Sequence, residues 1–568
     1  MKKLILVIVI CAVIAAVGLT VFYFLRLYKP NRASSAYTEA AITADKTVND
    51  TMTRLLESRP EDCAVSFEIK HRINAADSGV VAEDASAAEQ NTKKLNALIS
   101  GAKEYTEIFL PAGRYYISSS DGGIKLSQKS NIVIRGEKCE LINVSYNPKE
   151  VKNADKYLYS NFFIIDGCRN IRLEGIAVDY ASHTSADGVI TEVKDGKTVF
   201  SVFDEFVSGD KNPLEGGEFI ASVLIADDNG FTDEYWPQDA VLLEKSGGEF
   251  SVPVGIGKAG DKICCRFSSG TYASPVVYIN NTSGLTVTDF TCYSCPSAVF
   301  YAPYGNSDFC FSEININNRP GSEKLLASNE DCIHIKGLSG RLFVTDSVFS
   351  GIGDDALNVH GSLAVINKTA ENKISVLRGI DKGSLGNLWA VAGDTVEFFD
   401  GSYNSIGTAV VKSFDGKNLY FDSLPDGVAE GNYVQNLSFC PDTVIKNCRI
   451  ESGRARGLLL QTKNAAVTDC TFKKLRLPAI LISPDFDYWY EGGYSDNILI
   501  QNNAFEGCAT AQALKSFGVI TVSACHELNT LPANHRDYHK NISIVANSFS
   551  DCPAQSVFAQ SVINLKTE

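Results

Sequence analysis

The chain has 568 residues, 45% of them hydrophobic and 21% charged, with a formal net charge of −15. That balance is ordinary for a folded protein and leaves room for three or four domains, or for one long repeat domain with insertions. The acidic excess argues against a nucleic-acid partner, which would call for a basic face.

Lys2 and Lys3 precede 22 uncharged residues, Leu4 to Leu25, and Arg26 and Lys29 follow. About 20 apolar residues cross a bilayer, whereas a signal-peptide core has about 7–15. Residues 1–29 are therefore expected as a membrane anchor, with a cleaved signal as the alternative. Residues 30–60 read as a polar stalk. The body is expected at the cell surface, outside the cytoplasmic membrane, or secreted after cleavage.

Residues 61–179 read as the cap and first coils of a solenoid. Ala88, Leu95, Leu98, Ile99 and Ala102 fall near helical spacing, and a strand from Glu107 to Ile117 follows with a Pro-Ala-Gly turn inside it. A helix there would cover the open end of a sheet.

The repeat sets the fold. IRLEGIAV (171–178), LTVTDFTC (285–292), FCFSEINI (309–316), LFVTDSVF (342–349), TVIKNCRI (443–450), AAVTDCTF (465–472), ILIQNNAF (498–505) and ISIVANSF (542–549) share one pattern, with spacings of 24 (285 to 309) and 22 (443 to 465). A second strand follows several copies, as in CIHIKG, ALNVHG, GLLLQT, AILISP and GVITVS. Short strands, Asn/Asp/Gly corners and that period predict an all-β chain built as a right-handed parallel β-helix. Coils are expected over 279–361 and 440–568. Alternating strands at 180–278 and 362–439 break the period and predict two antiparallel inserts of small-barrel type. The 16 Cys recur within the strand repeats, which predicts buried free thiols stacked inside the solenoid, with disulfides as the alternative for an exported chain.

Two strings carry the chemistry: EDCIHIKG (330–337) and GDDALNVHG (353–361). They read as one strand repeated 24 residues later, Asp331 matching Asp355 and His334 matching Asn358. Neighbouring strands sit about 4.8 Å apart, so Asp331, Asp354 and Asp355 are expected in one patch. Carboxylates stacked this way repel one another and are kept for acid/base work or for a cation. Calcium binding and ordinary Asx turns at corners are the alternatives. Strand alternation turns the aliphatics inward and His334, Asn358, Lys336, His360 and Gln461 outward, as a polar stripe suited to sugar hydroxyls. Arg454 and Arg456 stand where they can pair with the aspartates. One loop between strands holds Trp489, an aromatic face for sugar C–H groups, and Glu491, a grip for hydroxyls. No metal or cofactor is expected.

EDCIHIKG, GDDALNVHG, RARGLLLQT and the segment PAILIS–DFDYWYEGG–ILIQNNAF resemble glycoside hydrolase family 110, over roughly residues 60–560. That resemblance implies bacterial exo-acting α-1,3-galactosidase activity, a right-handed β-helix with β-barrel inserts, an inverting mechanism without metal, and Asp331, Asp354 and Asp355 as catalytic residues. It implies a glycan with a terminal α-galactose as partner. Oligomeric state is not fixed by the sequence, a homodimer being one option. Two rivals stand beside it: a polygalacturonase-like β-helix glycosidase and a non-catalytic surface glycan-binding solenoid.

Overall fold

The computed structural model describes residues 46–150, 161–268, 275–379, 381–493, 495–511, 517–524, 532 and 535–568. The anchor expected over residues 1–29 lies outside the described residues. Among those described, no helix is long and apolar enough to cross a membrane.

Helix α1 (Lys46–Glu57) falls within the stretch expected as a stalk, yet it docks on the solenoid flank. Leu55 is buried with Phe343, Val444 and Ala466, and Arg54 pairs with Asp442 at 2.8 Å. Helix α2 (Ala88–Gly101) caps the solenoid end, with Ala88, Leu95 and Ile99 buried.

Ten short strands form one continuous parallel ladder. They are β1 (Ile124–Ser127), β2 (Phe163–Asp166), β3 (Val277–Asn280), β4 (Phe300–Ala302), β5 (Ile333–Ile335), β6 (Leu357–Val359), β7 (Leu458–Leu460), β8 (Ile480–Ile482), β9 (Gly518–Val522) and β10 (Gln555–Ala559). Ile333, Leu357, Leu458, Ile480, Ile520 and Val557 stack rung on rung. The 18-stranded sheet on the other side of the coils is parallel in the same way, for example Leu285 on Phe309 and Thr443 on Ala465. The repeat windows are these strands. Their polar pair makes the bend: Asp289, Asp346, Asn447, Asp469 and Asn502 take left-handed φ of 51°, 52°, 53°, 57° and 57°, a conformation that Asn and Asp tolerate better than most residues. Between the sheets runs one apolar core, from Ala75 to Ile544. Fourteen described cysteines are free thiols, and all but Cys440 and Cys552 are buried.

Two coils are lengthened. Strand partners across the first lie 114 residues apart and across the second 101. Each holds an antiparallel eight-stranded sheet with its own apolar core, the first within 185–267 and the second with seven of its eight strands within 361–436. Neither closes into a barrel among the described residues. The first runs from an edge at Gly230–Tyr235 to an edge at Glu244–Ser246, and the second from Ser405–Val410 to Ser413–Phe414. The eighth strand of the second sheet, Glu491–Gly492, returns from the far loop to pair with Gly361 and Ser362.

Candidate active site

Asp331 enters β5 and Asp355 enters β6. The register that stacks Ile333 on Leu357 also stacks the two aspartates, and the Asp355 backbone N–H donates to Asp331 Oδ1 at 2.9 Å. With Asp354 they bring one carboxylate oxygen each within 4.8 Å of the others. Asp331 and Asp355 are buried, while 24% of the Asp354 side chain reaches solvent. The cluster is thus a sunken group with one member at its mouth.

The two arginines divide the aspartates between them. Arg456 Nε donates to Asp355 Oδ1 at 2.8 Å, and Arg454 Nη2 donates to Asp354 Oδ1 at 2.9 Å. The cations do not cancel burial. Burial pushes Asp355 up to about 7 despite Arg456, with Asp354 and Asp331 adding to the rise. Burial and the Asp354 charge hold Asp331 well above the usual carboxylate range. Burial raises Glu330, which accepts a hydrogen bond from the Ser297 hydroxyl at 2.8 Å, to about 7. At neutral pH the group therefore retains protons that ordinary aspartates would have lost.

The imidazoles extend the cluster. His334 Nδ1 meets Asp331 Oδ2 at 2.6 Å, His334 Nε2 meets His360 Nε2 at 3.0 Å, and Glu491 Oε1 lies 3.5 Å from His360 Nε2. Burial lowers both histidines and raises Glu491 to about 7. His334 sits beside Asn358 on the next rung, and Gln461 follows one rung further, its N–H bonded to the Val359 carbonyl. Asn358 Oδ1 and both amide atoms of Gln461 are buried without a hydrogen-bond partner among the described residues. The stripe expected as exterior is therefore covered. The second inserted sheet closes over it: Tyr304 donates to Ser362 at 2.6 Å and stacks on Phe439, and the Glu491–Gly492 strand pairs with Gly361 and Ser362 directly after His360. Two donor sets could hold a cation, Asp331/Asp354/Asp355 and His334/His360/Glu491. The first, all carboxylate, suits a hard cation; the second suits a transition metal.

Trp489 is not part of the cluster. It is 49% exposed, packs edge-on against Tyr488, and sits two residues before Glu491 on a turn whose backbone N–H groups bond the buried Asp485 carboxylate. Glu234, Trp236 and Arg266, from the first insert, are at the site without any signal in the repeat. Glu234, from the first inserted sheet, accepts from Arg454 at 2.9 Å, from Arg476 at 2.7 Å and from the Trp236 indole N–H at 3.1 Å. Burial would raise its carboxyl, but the two guanidiniums outweigh burial and pull it down to about 2. Arg266 donates to the Gly353 carbonyl at 3.2 Å, directly before Asp354.

The site is thus a set of carboxylates gathered on adjacent rungs of a parallel β-helix, with residues of both inserted sheets beside it. The chain is similar to Alpha-1,3-galactosidase A of Akkermansia muciniphila, 27% identical over 423 residues, covering 68% of this chain and 66% of the relative. It is also similar to Alpha-1,3-galactosidase B of Bacteroides thetaiotaomicron, 24% identical over 433 residues, covering 71% and 69%. The chain thus spans about two thirds of each of these relatives. The resemblance to glycoside hydrolase family 110 stands on them, and they support a galactosidase-type glycosidase. No family model matches the chain. Among solved structures it is similar to a family 28 exopolygalacturonase of Yersinia enterocolitica, 11% identical with a TM-score of 0.37, covering 88% of this chain and 78% of that one. A second match is an exopolygalacturonase of Thermotoga maritima, 10% identical with a TM-score of 0.39, covering 92% and 96%. Likeness at that level carries no argument; the fold rests on the strand registers above.

Proposed function

We propose that this chain is an exo-acting glycoside hydrolase that removes terminal α-1,3-linked galactose from glycans, with inversion. The observation that carries the reading is the triplet Asp331, Asp354 and Asp355, whose carboxylates converge with one at the mouth and two beneath it. A cluster that keeps a proton near neutrality supplies both partners of the reaction. A carboxylic acid protonates the glycosidic oxygen as the bond to the anomeric carbon breaks, and a carboxylate takes a proton from the attacking water. His334, Asn358, His360, Arg456, Gln461 and Glu491 are assigned to sugar hydroxyls and Trp489 to an outer sugar face. The unpartnered amide oxygen of Asn358 and the unpartnered amide of Gln461 support this, since hydroxyls would satisfy them. Two inserted walls support an end-on pocket and hence exo action. We also propose a location at the cell surface with residues 1–29 as tether, a reading supported by the 22 uncharged residues from Leu4 to Leu25.

Inversion rests on the family resemblance. The close approach of the three carboxylates favours retention as a second reading, because a retaining pair stands about 5–5.5 Å apart and an inverting pair about 6.5–9.5 Å. One experiment tests both activity and stereochemistry. Incubation with α-1,3-galactosyl oligosaccharides, followed by proton NMR, gives β-galactose first for inversion and α-galactose first for retention. Release of no galactose from any α-galactoside refutes the reading.

A further inference from the structure

We propose that Trp236 is a stacking platform for the sugar on the leaving-group side of the site, so that the first inserted sheet contacts the glycan from which galactose is removed. This rests on the glycosidase reading above.

Trp236 follows the edge strand Gly230–Tyr235 and is 48% exposed. It is nevertheless held on two sides. Its indole N–H donates to Glu234 Oε2 at 3.1 Å, which ties one edge. The guanidiniums of Arg266 and Arg454 lie over the ring, 4.6 and 5.3 Å from its centroid. Both arginines are buried and both donate to the Gly353 carbonyl, which groups them on the protein side of the indole while about half of the tryptophan stays exposed. Arg454 also donates to Asp354. One guanidinium therefore separates the ring from the aspartate at the mouth.

A tryptophan that merely closed a core would be buried, as Trp389 is. An exposed indole with its edge bonded and its inner face on two cations is instead a preset flat surface. The C–H face of a hexopyranose suits it, because a sugar packs its apolar face on an aromatic ring while its hydroxyls stay in water. Position selects which sugar. Asp331 and Asp355 lie beneath, where the cleaved galactose must reach, and Asp354 with Trp236 lies at the rim. The sugar at the rim is the one that leaves.

The test compares Trp236→Ala and Trp236→Phe on two substrates: an α-1,3-galactosyl disaccharide, and α-galactosyl fluoride, which has no sugar on the leaving side. Trp236→Ala is expected to lower kcat/KM for the disaccharide about tenfold or more and to leave the fluoride within about twofold, with Trp236→Phe restoring most of the loss. Equal losses on both substrates, or none on either, overturn the proposal. If the wild-type chain cleaves neither substrate, the glycosidase reading has failed and binding decides the platform separately. The chain has three tryptophans and Trp389 is buried, so in a Trp489→Phe background α-galactosyl oligosaccharides should shift the Trp236 emission. Emission that does not change with added glycan overturns it.

Discussion

Asp331 and Asp355 are 24 residues apart in the chain and one rung apart in space, joined by the Asp355 N–H donating to Asp331 Oδ1 at 2.9 Å. The bond holds two buried carboxyls close enough to repel, and a fold keeps such repulsion where chemistry uses it. Asp331→Asn, Asp354→Asn and Asp355→Asn are each expected to lower turnover on an α-1,3-galactoside about a thousandfold or more. Stability should separate the two buried positions. Asp331→Asn replaces a carboxyl that burial and Asp354 hold back from ionising with a neutral amide that can still accept from the Asp355 N–H, and should cost less than Asp355→Asn at pH 8. Asp355→Asn takes the carboxylate from Arg456 Nε and should cost about 1–3 kcal/mol. Near-normal turnover in any of the three would remove that residue from the catalytic set.

The same carboxyls set a stability profile. Glu330 and Glu491 rise from 4.5 to about 7 and Asp355 from 3.8 to about 7, chiefly by burial. The folded state therefore binds these protons more tightly than the unfolded chain does. Their stabilising contribution is complete below the unfolded values and is lost as pH climbs through about 7. Glu491→Gln should flatten that decline, by up to about 3 kcal/mol between pH 4.5 and 8. Chemical denaturation at the two pH values measures it, and a slope that the variant leaves unchanged would assign the decline elsewhere.

The coil register was open to inspection because each rung repeats the same demand: an aliphatic at alternate positions and a residue tolerant of positive φ at the bend. Leu285 on Phe309, Thr443 on Ala465 and Asp331 over Asp355 all follow from that. What covers the outer face did not follow. Alternation by two turns His334 and His360 outward, but only the packing of the second inserted sheet buries them. Glu234 and Trp236 lie in an insert with no repeat and reach Arg454 from 220 residues away, so no local spacing points to them. Leu55 is a lone buried leucine in a polar stretch, too small a signal to distinguish a docked helix from a stalk.

The final aromatic of the repeat makes a ladder inside the coils. Phe472, Phe505 and Phe549 stack with centroids 4.9 Å apart and planes within 11°. Phe505 is the middle ring, with a neighbour on each side, so Phe505→Ala should destabilise by about 3–5 kcal/mol. Urea unfolding measures the loss. A cost below about 1 kcal/mol would mean that the rungs can close over the gap.

Arg456 offers the sharpest control over the reaction. If hydrolysis draws its proton from the buried cluster, kcat/KM must fall on the basic side as Asp355 ionises near its value of about 7. Burial raises that carboxyl, Asp354 and Asp331 add to the rise, and the Arg456 guanidinium opposes them. Arg456→Gln removes the opposing charge and leaves the rest. The variant should be slower at pH 6, having lost a fixed donor beside Asp355, yet its basic limb should move to higher pH. A packing defect would lower the whole profile without moving the limb. A limb that moves to lower pH, or stays in place while activity persists, would assign it to another acid, with Glu330 and Glu491, both raised to about 7, the next to test.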